Sequence, residues 1–108
     1  MFVYVAYPYG RSRNLSQNLI NINVQASIEI GRRLIAKGHV PMIPNLYHFV
    51  HDGWSQSPDE DIWFAIASGW IQRCDALFYG GSSIGTNTER KIAFGLRLPI
   101  YYSIDEVP

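Results

Sequence analysis

The chain has 108 residues, 47% of them hydrophobic, enough for the core of one domain spanning residues 1–108 and too few for two. Nine basic and nine acidic residues cancel to a formal net charge of zero, and no run of Lys or Arg offers the footprint that a phosphate backbone requires. Nucleic-acid polymers are therefore not expected as partners, nor is a membrane, since no apolar run approaches the ~18 residues that span a bilayer.

A lone cysteine, Cys74, has no internal disulfide partner, and the N-terminus shows no charged segment leading into an apolar signal core. A cytoplasmic protein is expected. A domain this small buries less of its surface than a large enzyme, so a homo-oligomer is expected to add stability and pocket wall.

In chain order, Phe2-Val3-Tyr4-Val5-Ala6 is a charge-free β-branched and aromatic run, the pattern of a strand buried on both faces. Tyr7-Pro8-Tyr9-Gly10 ends it and opens a polar loop. From Asn21 to Lys37 the residues Val24, Ile28, Ile30, Leu34 and Ile35 recur at helical spacing, with Gly38 placed for a left-handed cap. Val40 to Pro44 reads as a second strand, its prolines favouring a sheet edge. The aromatic, aperiodic stretch from Asn45 to Pro58, with His48, His51 and Trp54, reads as a mobile loop containing one helical turn.

A second helix is expected to start with Ser57 as cap and Pro58 at its first position and to run to Arg73, with Trp63 and Trp70, seven apart, on its core face. Asp75 to Tyr79 is a third strand, its Asp75 placed to satisfy backbone donors. Gly80-Gly81 closes that strand. Thr86 to Arg97 is a third helix with Ile92, Ala93 and Leu96 inward, and Leu98 to Tyr102 a fourth strand. Strands alternating with helices predict a flavodoxin- or Rossmann-like three-layer α/β sandwich, with a four-stranded parallel sheet in the order 2-1-3-4.

In that order the connections leave the first and third strands in opposite directions, and a ligand crevice opens between their carboxyl ends. Two loops border it: Tyr7 to Arg13, and Gly80 to Asn87. In the second, Gly80-Gly81-Ser82-Ser83-Ile84-Gly85 runs into a helix N-terminus, where backbone N–H groups and hydroxyls hold an anion or merely make the turn. Two readings are open for Glu89. In one, Thr86-x-x-Glu89 is a capping box; in the other, Glu89 faces the crevice from the first helical turn, kept ionised by the helix dipole, as a nucleophile or base.

The segments Tyr4-Val5-Ala6-Tyr7-Pro8-Tyr9, Gly38-His39-Val40-Pro41, Trp70-Ile71-Gln72-Arg73-Cys74-Asp75-Ala76 and Ser83-x-Gly85-x-x-x-Glu89 carry a resemblance. So do Ala93, Gly95, Pro99-Ile100 and Tyr102-Ser103-Ile104-Asp105-Glu106. Together they resemble the nucleoside 2-deoxyribosyltransferase-like superfamily, and most closely a small phage and bacterial branch related to 2'-deoxynucleoside 5'-monophosphate N-glycosidases. The resemblance implies cleavage of the bond between a nucleobase and a (deoxy)ribose. It makes Glu89 the carboxylate that attacks C1' and Tyr4 the residue that orients it. The oxocarbenium-like state of such a reaction is stabilised by a carboxylate while an acid protonates the departing base. The ligand implied is a nucleoside or nucleotide, and no cofactor is implied.

Two places depart from that pattern. An Asp expected about eight residues before the Cys-Asp-Ala element is Ala67 here, and Asp61 or Glu60, about 9 Å away along the helix for Asp61, is the candidate substitute acid. The turn after the first strand is Tyr7-Pro8-Tyr9 in place of a Gly/Arg turn, leaving Arg11 or Arg13 for a phosphate and Tyr7 and Tyr9 to stack on a base. The remaining expected pocket residues are Pro8, His48, Ser82, Ser83, Gly85 and Asn87. No third ligand at fixed spacing joins His48 and His51, so no metal is expected, and Cys74 reads as a small buried hydrophobe. A second function class stays open: a nucleotide-binding protein that keeps the pocket and lacks the acid.

Overall fold

The computed structural model describes residues 1–10 and 15–108. Four strands, β1 (Phe2–Ala6), β2 (Val40–Met42), β3 (Ala76–Tyr79) and β4 (Ile100–Tyr101), form an all-parallel sheet in the order β2-β1-β3-β4. This is the expected α/β sandwich. In register, Tyr4 lies between Met42 of β2 and Leu77 of β3, so β1 is central and β2, with its proline, lies at an edge.

Strand alternation divides the core into two layers. Val3 and Val5 pack with Ala76, Phe78, Val107 and Leu34 of α1 (Gln17–Ala36). Tyr4 and Ala6 face the other way, onto Leu77, Cys74, Ile71 of α3 (Glu60–Ile71) and Ala93 of α4 (Ile84–Gly95). Each large apolar side chain buried this way contributes about 1.5–3 kcal/mol. Asp75 accepts the Phe2 N–H at 2.8 Å, the backbone role expected of it. Among the described residues no helix is long and apolar enough to cross a membrane.

Helix boundaries differ from expectation where capping overrides apolar spacing. α1 begins at Gln17 rather than Asn21, because the Ser16 hydroxyl accepts the Leu19 N–H. It ends before Gly38, whose φ of +87° is the expected left-handed turn. Ser57 does not cap α3: Asp59 holds the cap position, and Glu60 and Asp61 place their charge against the first-turn dipole. α4 starts at Ile84 instead of Thr86 and stops at Gly95, with Leu96 half-exposed instead of inward.

The stretch from Asn45 onward holds the helical turn expected in it and a second turn before that. Pro44–Tyr47 forms a 3-10 turn and His48–His51 a single α-helical turn, α2. Asn45, His48 and His51 are buried. Side-chain bonds hold the segment: Asn45 Nδ2 donates to the Pro8 carbonyl at 3.3 Å, and Trp70 Nε1 donates to the Tyr47 hydroxyl at 2.8 Å. Such contacts have no periodicity, so the sequence pattern does not betray them.

Candidate active site

β1 places Tyr4 on the sheet face covered by α3 and α4, where it is fully buried. Glu89 lies one helical turn before Ala93, on the same sheet-facing side of α4. The Tyr4 hydroxyl donates to Glu89 Oε2. Burial pushes the Glu89 carboxyl up from its ordinary 4.5 to about 7, and the bond from Tyr4 works in the opposite direction. Burial, and then the Glu89 charge, hold Tyr4 well above the ordinary phenol range, so Tyr4 is a donor at neutral pH.

This removes the capping-box reading of Glu89. The capping box belongs to Ser83 and Thr86: Thr86 N–H donates to Ser83 Oγ at 3.1 Å, and Ser83 N–H to Thr86 Oγ1 at 2.8 Å. Glu89 is bonded to Tyr4 instead. It stands beyond the first turn of α4, where the dipole's influence has fallen off, and burial raises its carboxyl, against the expectation of a group kept ionised by the helix end.

A cavity of about 360 Å³ opens over the pair, near the lower end of ordinary ligand pockets at about 300–1,000 Å³. Tyr7, Tyr9 and Gly10 follow β1 into its wall, and Ser83, Gly85 and Thr86 enter from the start of α4. This is the crevice between the carboxyl ends of β1 and β3 that the strand order requires. The far wall is the Pro44–His51 segment with Trp63, Phe64, Ala67 and Trp70 of α3. Trp63 and Trp70 are thus not core residues: Trp70 is 40% exposed, and both present indole surface to the cavity. Their spacing of seven signals one shared helix face and does not say whether protein or ligand covers it.

The sequence candidates divide. Tyr4, Tyr7, Tyr9, His48, Ser83, Gly85 and Glu89 all line the cavity. Ser82 and Asn87 do not: Asn87 accepts the Tyr79 hydroxyl at 2.6 Å and donates to Ser82 Oγ at 3.1 Å, knitting the loop to β3. Pro8 also stands outside the lining, its carbonyl taken by Asn45. Asp61 is exposed and lies off the cavity, whereas Glu60 lines it, because one residue turns a helix by about 100°. Arg11 and Arg13 lie outside the described residues. In the Gly/Ser loop the Thr86 hydroxyl donates to the Gly81 carbonyl at 2.7 Å, which is the turn-making use of such residues.

Sequence reasoning underrated Tyr9. Its hydroxyl lies 2.5 Å from His48 Nδ1 and 2.6 Å from His51 Nε2, joining three polar side chains in an otherwise aromatic wall. The i, i+3 spacing of the two histidines was the available signal. Burial and then the neighbouring Asp75 raise the Cys74 thiol, which keeps it neutral in the core.

Gly80 shows how closely the wall is fitted. A methyl group built there would stand 2.5 Å from the Tyr7 ring and 3.4 Å from the Ala6 carbonyl. Gly80→Ala is therefore expected to displace Tyr7 and destabilise the fold by about 1–3 kcal/mol, read as a lower urea midpoint. An unchanged midpoint would show that the Tyr7 ring shifts freely. Compared with the models of known protein families and with curated proteins, the chain matches none.

Proposed function

We propose that the protein cleaves the N-glycosidic bond of a nucleoside or nucleoside 5'-monophosphate, or transfers its deoxyribosyl group to a second base. Glu89 is the nucleophile at C1' and Tyr4 the donor that orients it. The observation that carries this reading is the buried Tyr4–Glu89 bond beside an aromatic cavity of nucleoside size. A carboxylate in that position stabilises an oxocarbenium-like state on one face, and the flat indole and phenol surfaces suit a base. Transfer and hydrolysis differ only in whether a second base or water attacks the glycosyl-enzyme.

Ala67 supports a second reading, a nucleotide-binding protein without turnover, because it lines the cavity where the resemblance calls for an acid. The proposal also takes the protein to be cytosolic and a homo-oligomer. For the latter, the support is exposed Ile62 and Trp70 on α3 and Ile84 on α4.

The test is base release from a panel of nucleosides and 5'-monophosphates, followed by liquid chromatography, with ligand-induced melting shifts on the same samples. Base release by the wild type is the expected result. Melting shifts without release would establish the binding reading, and neither signal would sink both.

A further inference from the structure

We propose that His48, held through Nδ1 by Tyr9, delivers the proton to the departing base. The inference rests on the glycosidase reading and answers the question that Ala67 raises for it. His48, Tyr9, His51, Ala67 and Glu89 line the same cavity. His48 and His51 are only 5% and 7% exposed, and burying two imidazoles is unfavourable unless their nitrogens are bonded.

The proton count on Tyr9 sets the arrangement. A phenol has one proton, so its oxygen cannot donate to both rings, and one facing nitrogen must itself carry hydrogen. In the working arrangement His48 is protonated on both nitrogens. Its Nδ1–H donates to the Tyr9 oxygen, and the Tyr9 O–H donates to His51 Nε2. His48 Nε2–H has no protein partner among the described residues and is left for a ligand. Tyr9 is then a positioning residue: it fixes the ring and accepts from its charged form.

In the first step a Glu89 oxygen bonds C1' as the C1'–N bond breaks. The electron pair leaves with the base, which takes the proton from His48 Nε2. In the second step water bonds C1', the Glu89–C1' ester bond breaks with its pair returning to the carboxylate, and the water proton passes to His48. The sum is nucleoside plus water giving free base plus sugar, with enzyme regenerated.

Leaving-group dependence tests this. Release of base from a purine deoxynucleoside is compared with release of nitrophenol from 4-nitrophenyl 2-deoxyriboside, whose leaving group needs no proton at neutral pH. Compared as kcat/KM, which stops at the glycosyl-enzyme and so excludes the water step that His48 also serves, base release is expected to fall about 10²-fold in His48→Gln and nitrophenol release by far less. Tyr9→Phe is expected to show the same pattern about tenfold. Retained nitrophenol release also reports that each variant is folded. Equal losses on both substrates, or no loss on the nucleoside, would overturn the proton-donor role. Wild type that releases nitrophenol but no base refutes this inference and leaves the Glu89 chemistry standing; release from neither refutes both.

Discussion

Glu89→Gln is expected to raise stability at pH 8 by about 2 kcal/mol while lowering base release by about 10³-fold or more. The two effects have one cause. In the folded chain the Glu89 carboxyl titrates at about 7, against an ordinary 4.5 that approximates the unfolded chain. Between those values the folded state keeps a proton that the unfolded state has lost, so folding weakens as pH rises. The contribution is fully present below 4.5 and is lost as pH passes through about 7. At about 1.4 kcal/mol per pH unit the interval is worth about 3 kcal/mol, reduced to about 2 because water reaches the carboxyl from the cavity. Glutamine does not titrate, keeps a carbonyl for the Tyr4 hydroxyl and cannot form the proposed glycosyl ester. Urea unfolding at pH 4 and pH 8 should therefore show the two proteins nearly equal at the lower pH and separated at the higher. Parallel pH dependences would show that Glu89 titrates normally, and the site would lose its electrostatic argument.

A destabilising buried carboxyl is what a site retains for chemistry and a core would discard. It also explains which parts of the site were legible in the sequence. Tyr4 and Glu89 stood out as a phenol in an apolar strand and an acid near a helix start. Their pairing depends on β1 and α4 meeting across the sheet, a separation of 85 residues that no local pattern encodes. The strand order was readable because alternation of strand and helix leaves few topologies. The Glu89 cap reading failed because Ser83 and Thr86 offered a competing box three residues earlier, and both spacings satisfy the same rule. The aromatic wall failed for another reason: Trp63, Trp70, Tyr47 and the histidines face the cavity, and a helix face covered by a ligand has the same periodicity as one covered by core.

Tyr4→Phe separates positioning of the proposed nucleophile from simple packing. Phenylalanine keeps the ring in its fully buried place and removes the Tyr4 bond that holds the Glu89 carboxyl down against burial. The carboxyl should then titrate above its wild-type value of about 7, and less of it is ionised at neutral pH. Nitrophenol release from the deoxyriboside, which needs no acid, is expected to fall about 10–100-fold at pH 7, the scale of one lost hydrogen bond to a charged group at about 1.5–3 kcal/mol. As pH rises the carboxylate fraction recovers, so the loss should narrow, and the acid limb of the rate profile should stand at higher pH than in wild type. A loss of equal size at every pH would place the role of Tyr4 in packing or alignment alone. A limb moved to lower pH would mean that the phenol favours the protonated acid, and Glu89 would then be a proton donor rather than the nucleophile.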